Sequence, residues 1–261
     1  MFFLSTNSCA PIPKQKYPYP LLHLDYNHLK IIHEALAKKK VTDKVIALTF
    51  DDGPHPVVTE KILTILRREN VKATFFLLGE NADEEEELVQ AILDDHHDIG
   101  THSFSHPRFD RTNCEGTTEE IIDALEVVEQ YHVNARWFRP PYGIITKHVK
   151  KIMKERSLDL VLWNIDGQDW KKKGPDFIVN QVCSHHKNGG IILLHDIHED
   201  TAKALPSIIQ TLKKKGYRFV TLNQWIEYIY FHVPEALAKI SLATQIQGPH
   251  KNQEKSLREG F

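Results

Sequence analysis

Val45-Ile46-Ala47-Leu48-Thr49-Phe50, followed without a break by Asp51-Asp52-Gly53-Pro54, decides how the chain is read. The first six residues are apolar or β-branched throughout, the composition of a strand covered on both faces. The next four set two carboxylates and a Gly-Pro turn signal where that strand must end. The same succession recurs downstream. Ala73–Leu78, Asp98–Thr101, Arg136–Phe138, Leu160–Asn164, Ile191–Leu194 and Arg218–Thr221 read as strands. Amphipathic stretches near 58–69, 84–95, 117–131, 147–156, 175–186, 201–215 and 223–232 read as helices between them. Seven β-then-α units in one direction predict an α/β fold, a parallel sheet covered by helices. Either a barrel of seven or eight strands or an open doubly wound sheet fits this pattern.

Outside these units, Leu22, Leu29, Ile32 and Leu36 recur at helical spacing and predict a helix over about 24–39. A Pro-rich lead-in at 11–20 precedes it, and the chain turns polar beyond about 245, which reads as a mobile tail. No Pro/Gly/Ser linker separates the β-α units. The layout is therefore an N-terminal extension with one helix (1–41), one domain (42–232), and a C-terminal helix with a polar tail (233–261).

Composition limits the function classes. The 261 residues are 41% apolar and 26% charged, with Lys+Arg 33 against Asp+Glu 35. A formal net charge of −2 provides no electrostatic footprint for nucleic acid or anionic lipid. No run approaches the roughly 20 apolar residues of a transmembrane helix. Cys9, Cys114 and Cys183 lie far apart and form no C-x-x-C, which argues against a disulfide framework or a cysteine zinc site. Met1-Phe2-Phe3-Leu4 has neither a basic lead nor a long apolar core, so the chain as it stands reads as cytoplasmic. A start further upstream would make it extracellular or periplasmic.

Polar clusters stand immediately after five strands: Asp51-Asp52-Gly53-Pro54; His102-Ser103-Phe104-Ser105-His106; Arg139-Pro140-Pro141-Tyr142-Gly143; Asp166-Gly167-Gln168-Asp169-Trp170; and His195-Asp196. In barrels and open parallel sheets, sites form at the carboxyl ends of strands, from several β→α loops. Each cluster has a plain structural explanation on its own. Sixteen histidines make about one H-x-x-x-H pair by chance, so His102 and His106 carry little alone. Asp51-Asp52 can end a strand and cap a helix, Arg139 can sit in a structural ion pair, and His195 can be a satisfied core histidine. Taken together they supply the parts of a metal hydrolase. One Asp and two His suit Zn²⁺ or a similar divalent ion, a second Asp can act as base, and a separate His can act as acid.

Thr49-Phe50-Asp51-Asp52-Gly53-Pro54, His102-x-x-x-His106-Pro107, Arg139-Pro140-Pro141-Tyr142-Gly143, Asp166-x-x-Asp169-Trp170 and Leu193-Leu194-His195-Asp196 resemble, in order, five motifs of the polysaccharide deacetylases. These form the NodB-homology group, carbohydrate esterase family 4, and the resemblance covers roughly residues 42–230. It implies a distorted (β/α) barrel of about seven parallel strands and metal-dependent removal of N-acetyl groups from an N-acetylglucosamine poly- or oligosaccharide of chitin-oligomer or peptidoglycan type. Asp52, His102 and His106 are similar to the family's metal ligands, for Zn²⁺ or another divalent ion such as Co²⁺, Ni²⁺ or Fe²⁺. Asp51 resembles the general base, and Arg139 the arginine that orients it. The Tyr142 N–H resembles an oxyanion donor, His195 the general acid, and Asp169 its tuning partner. Trp170 and Leu193 resemble the apolar walls around the acetyl methyl. Departures are His96-His97, where the family often has Gly at one position, and Thr101 in place of Asn. The N-terminal helix has no counterpart in the motif set and is expected to be a packing or dimer helix. The other readings are a deacetylase or deformylase of a small or lipid-linked amino sugar, an O-acetyl esterase, and a non-catalytic carbohydrate-binding module.

Overall fold

In the computed structural model, residues 21–246 are described, apart from residue 134. In chain order the elements are β1 (His23–Leu24), α1 (Tyr26–Lys38), β2 (Lys44–Asp51), α2 (Val58–Glu69), β3 (Thr74–Leu77), α3 (Gly79–Glu84), α4 (Glu86–Asp94), β4 (Asp98–Thr101), α5 (Cys114–Glu129), β5 (Trp137–Phe138), α6 (Lys147–Arg156), β6 (Asp159–Val161), β7 (Ile165–Asp166), α7 (Pro175–Ser184), β8 (Gly190–His195), α8 (Glu199–Lys214), β9 (Tyr217–Val220), α9 (Leu222–His232) and α10 (Pro234–Ile246). The strands form one parallel sheet in the order β1-β6-β5-β4-β3-β2-β8-β7, with β9 added on β2. The fold is thus the α/β distorted barrel anticipated from the sequence, as a curled half-barrel whose end strands β1 and β7 do not pair among the described residues. Among those residues no helix is long and apolar enough to cross a membrane.

β2 is the axis of the sheet. Ile46 to Asp51 pair with β8 along one edge. Along the other, Lys44–Ala47 pair with β9 and Thr49–Asp51 with β3, so β9 is wedged at the foot of β2. Alternation along the strand then separates two cores. Ile46, Leu48 and Phe50 join Phe75, Leu77, Phe138, Ile192 and Leu194 beneath Ile62 of α2, Ile121 of α5 and Ile208 of α8. Val45 and Ala47 face inward with Phe76, Trp137, Val161 and Ile191, and are covered by Leu29, Ile32 and Leu36 of α1, Trp225 and Ile229 of α9, and Leu237 of α10. Continuing up that inner row, the residues become Thr49 and Asp51. The inner face is therefore apolar at its amino end, closed by three helices, and polar at its carboxyl end, where the loops gather.

Local sequence explains most boundaries. α1 begins at Tyr26 because Asp25 accepts the His28 N–H (3.0 Å) while His28 Nδ1 accepts the Asp25 N–H (3.4 Å). The helix expected over 84–95 is α4, and Glu85, with a non-helical backbone, separates it from α3, which the sequence reading did not anticipate. The strand expected over Leu160–Asn164 stops at Val161. There Asn164 takes over the ladder, its side-chain Oδ1 accepting the Ile191 N–H (2.8 Å) and its own N–H donating to the Ile191 carbonyl (3.1 Å). β1 and β7, two residues each, are too short to show a period. The Pro-rich lead-in, Cys9 and the tail beyond 246 lie outside the described residues.

Residues 22–38 are built into the sheet and its inner core. β1 extends the sheet beside β6, and α1 helps to fill the inner core. Buried Asp159 secures this join: its Oδ1 accepts the Leu22 N–H (2.5 Å) and its Oδ2 pairs with Arg136. Burial pushes the Asp159 carboxyl up, and Arg136 opposes that shift. Removing one partner of a buried pair costs about 3–5 kcal/mol. Asp159→Ala is expected to lower unfolding stability in urea by that order, whereas Lys30→Ala, in an exposed pair with Glu34, should change it by less than about 1 kcal/mol.

Candidate metal centre and active site

Asp52 follows β2 in a left-handed conformation (φ 75°), its carbonyl accepting the Asn81 amide N–H (2.7 Å). His102 follows β4 and is buried. His106 lies four residues on, also left-handed (φ 63°), so the pair does not share a helical turn. Asp52 Oδ1 is 3.5 Å from Nε2 of both His102 and His106, and one ligand atom from each residue lies within 4.8 Å of the others. The Arg139 carbonyl, 2.6 Å from His102 Nδ1, holds the proton there and leaves the Nε2 lone pair facing Asp52. Burial lowers the His102 pKa to about 3, so the ring stays neutral, as a ligand must be. Asp52 Oδ1 is buried and accepts no hydrogen bond among the described residues. A carboxylate oxygen left without a donor, facing two imidazole nitrogens, fits a single divalent cation. Asp52, Ser103 and His106 are all non-glycine residues at positive φ, a concentration of backbone strain of the kind found at functional sites.

Asp51 points inward beside this cluster, its Oδ2 3.7 Å from His102 Nε2. Arg139 Nη1 donates to Asp51 Oδ1 (2.6 Å) and to Thr49 Oγ1 (2.8 Å), while Nε and Nη2 donate to the Val161 (3.3 Å) and Leu162 (3.4 Å) carbonyls. The guanidinium is fully buried, 4.1 Å over the Phe76 ring. Burial pushes the Asp51 carboxyl up, and Arg139 beside it pulls it back towards the ionised form.

β8 brings His195 level with Asp51, the two being register partners across adjacent strands. Asp169 Oδ1 lies 2.7 Å from His195 Nδ1, and its Oδ2 accepts the His195 backbone N–H (2.7 Å) and the Thr201 hydroxyl (2.6 Å). Burial alone would lower the His195 pKa. The bonded Asp169 carboxylate, reinforced by Asp52 and Asp51, outweighs it and raises the value to about 9. Leu193 is buried two residues before His195 on the same face, opposite Asp166 of β7. Trp170 is 45% exposed and carries Lys171 Nζ 4.9 Å over its ring. Tyr142 is left-handed (φ 58°) in the one-turn 3₁₀ helix Pro141–Gly143, its ring 4.6 Å from that of His106.

Three contributors had no role assigned from the sequence, although Asp196 stands in one of the polar clusters. Asp196 is buried under the turn after β2, where a β-carbon on Gly53 would collide with its carboxylate, and its Oδ2 accepts the Thr59 hydroxyl (2.6 Å). Tyr26, at the start of α1, reaches Trp163 after β6, with ring centroids 5.8 Å apart. The Asp25 helix cap was the available signal for Tyr26, but β1 had to be seen before its place in the sheet could be known.

The family model described as polysaccharide deacetylase matches residues 38–161. A peptidoglycan-N-acetylglucosamine deacetylase of Bacillus cereus is 39% identical over 191 residues, covering 71% of this chain and 90% of that protein. Peptidoglycan-N-acetylglucosamine deacetylase PgdA of Listeria monocytogenes is 37% identical over 187 residues, 71% of this chain, and this chain spans 40% of its length. The solved structure of peptidoglycan deacetylase PdaC from Bacillus subtilis superposes with a TM-score of 0.69 at 35% identity, covering 79% of this chain and 98% of that one.

Zn²⁺ or Co²⁺ titrated into the chelator-treated chain should bind at one ion per chain, by elemental analysis or cobalt absorbance. Asp52→Ala and His106→Ala should each lose that ion, and a variant that keeps it stoichiometrically would strike its residue from the ligand set.

Proposed function

The chain belongs to the polysaccharide deacetylase family, and from that premise we propose that it is a metal-dependent hydrolase removing N-acetyl groups from an N-acetylglucosamine-containing glycan, releasing acetate. One observation carries the reading: the Asp51–Arg139 pair, the Asp52–His102–His106 cluster and the His195–Asp169 pair meet at one end of the sheet. The names of the relatives favour a peptidoglycan-type glycan over a chitin oligomer. A non-catalytic binding module has no use for both the Asp51–Arg139 pair and the His195–Asp169 pair.

Asp52, His102 and His106 would hold the ion, and Zn²⁺ suits their mixed N/O set best. When bound, it supplies Lewis-acid polarisation of the acetamide carbonyl and activates water for attack. Asp51, held ionised and aimed by Arg139, takes the proton from the attacking water. The Tyr142 N–H donates to the oxygen that gains charge. Leu193 and Trp170 exclude water around the acetyl methyl. His195 then gives its proton to the departing nitrogen, so that the C–N bond breaks to acetate and a free amine, while Asp169 stabilises the protonated ring until that step.

Acetate release from N-acetylglucosamine oligomers and from peptidoglycan should require added Zn²⁺ or Co²⁺ and stop with chelator. Asp51→Asn should lose about 10²–10⁴-fold in kcat while still binding the ion, and normal turnover by that variant would refute the assignment of the base. The pH profile tests the acid separately. His195 keeps its proton until pH rises through about 9, so the alkaline limb of activity should fall through that value. Asp169→Asn removes the interaction that raises the pKa, and the alkaline limb should move down by at least about one pH unit. An unmoved limb would mean that another group carries the proton.

A further inference from the structure

The junction of β1 and α1 brings to the site a group that none of the five motif clusters contains. β1 runs parallel to β6, so its carboxyl end, with Tyr26 just beyond it, lies at the same end of the sheet as the other β→α loops. Tyr26 is held firmly there. The Leu22 N–H is bonded to Asp159, Asp25 caps the helix, and Leu29 and Ile32 on the same helix are buried in the inner core.

The Tyr26 side chain is nonetheless 51% exposed. It meets Trp163 edge-on, with the ring planes at 89°. A β-carbon on Gly143 would stand 3.2 Å from Tyr26 Oη and 3.3 Å from the Trp163 ring, so glycine leaves room for both aromatics beside the Pro141–Gly143 turn. On one side, Gly143 adjoins Tyr142, whose ring contacts His106. On the other, the Trp163 ring lies 5.7 Å from the Arg139 guanidinium that holds Asp51. The aromatic pair thus borders the reacting centre without belonging to it.

An aromatic surface and a phenol at a cleft rim match the chemistry of a pyranose ring, whose C–H face packs on aromatics and whose hydroxyls seek donors and acceptors. We infer, resting on the function proposed above, that Tyr26 and Trp163 form a subsite for a second sugar ring beside the one that is deacetylated. The N-terminal helix is then part of the substrate cleft.

The test uses the full-length, metal-loaded chain with N-acetylglucosamine, its pentamer, and 4-nitrophenyl acetate, which is too small to reach the subsite. Wild type should bind the pentamer more tightly than the monosaccharide in a calorimetric titration. Tyr26→Ala should weaken pentamer binding about tenfold and lower the ratio of pentamer to aryl-acetate kcat/KM by a similar factor, through KM. Tyr26→Trp, which keeps an aromatic surface, should restore much of both. Wild-type pentamer affinity in Tyr26→Ala, a pentamer that binds no better than the monosaccharide, or equal loss on both substrates would each overturn the subsite. Failure of the wild type to cleave either substrate while Tyr26 still governs pentamer binding would overturn the proposed activity and leave the subsite standing.

Discussion

A guanidinium without access to water sits at the centre of the sheet, and its neutralisation is the constraint on which the site depends. Arg139 could not remain charged there unless its donors were used, and they are: one nitrogen is shared by Asp51 and Thr49, and the others serve the carbonyls of Val161 and Leu162. The side chain thus spans from the end of β5 to β2 and β6, while its own carbonyl fixes the tautomer of His102. One residue pulls Asp51 towards its ionised form, links three strand ends and fixes the ring of His102. Replacing it would leave Asp51 buried without a counter-charge, so its loss would disturb more than one function at once.

The apolar and polar halves of the inner face follow from the same strand. Val45 and Ala47 are covered by α1, α9 and α10, whereas Thr49 and Asp51, two and four residues further on, face the loops. Strand alternation places Asp51 and His195 on the same face, and strand register places them side by side. Asp52, at the point where β2 ends, turns out of the row into a left-handed conformation. Adjacent carboxylates are therefore separated by backbone geometry: one stays in the ladder beside the Arg139 guanidinium, and the other leaves it to face two imidazoles.

Much of this was legible in the sequence because long apolar strands and polar strand ends are strong local signals. α2 and α6 coincide with their expected spans, and the five polar clusters do converge. What was not legible depends on distant partners. His23 and Leu24 form a strand only because β6 offers them an edge and Asp159 a hydrogen bond, and neither is encoded near residue 23. Tyr26 was hidden for the same reason. Asn164 imitating a strand residue with its side chain, and Glu85 interrupting a run of good helix formers, are tertiary outcomes that periodicity cannot express.

The placement of β9 has a consequence for how the molecule comes into being. Every residue of the candidate site lies before residue 197, yet the foot of β2, the strand that carries Asp51, acquires its neighbour on one edge only when Tyr217–Val220 arrive. On a ribosome, the central strand must wait with half an edge open until nearly the whole domain has emerged. A sheet built on such long-range pairing folds late and as a unit. The chemistry encoded in the first four-fifths of the domain is thus timed by the last strand to be made.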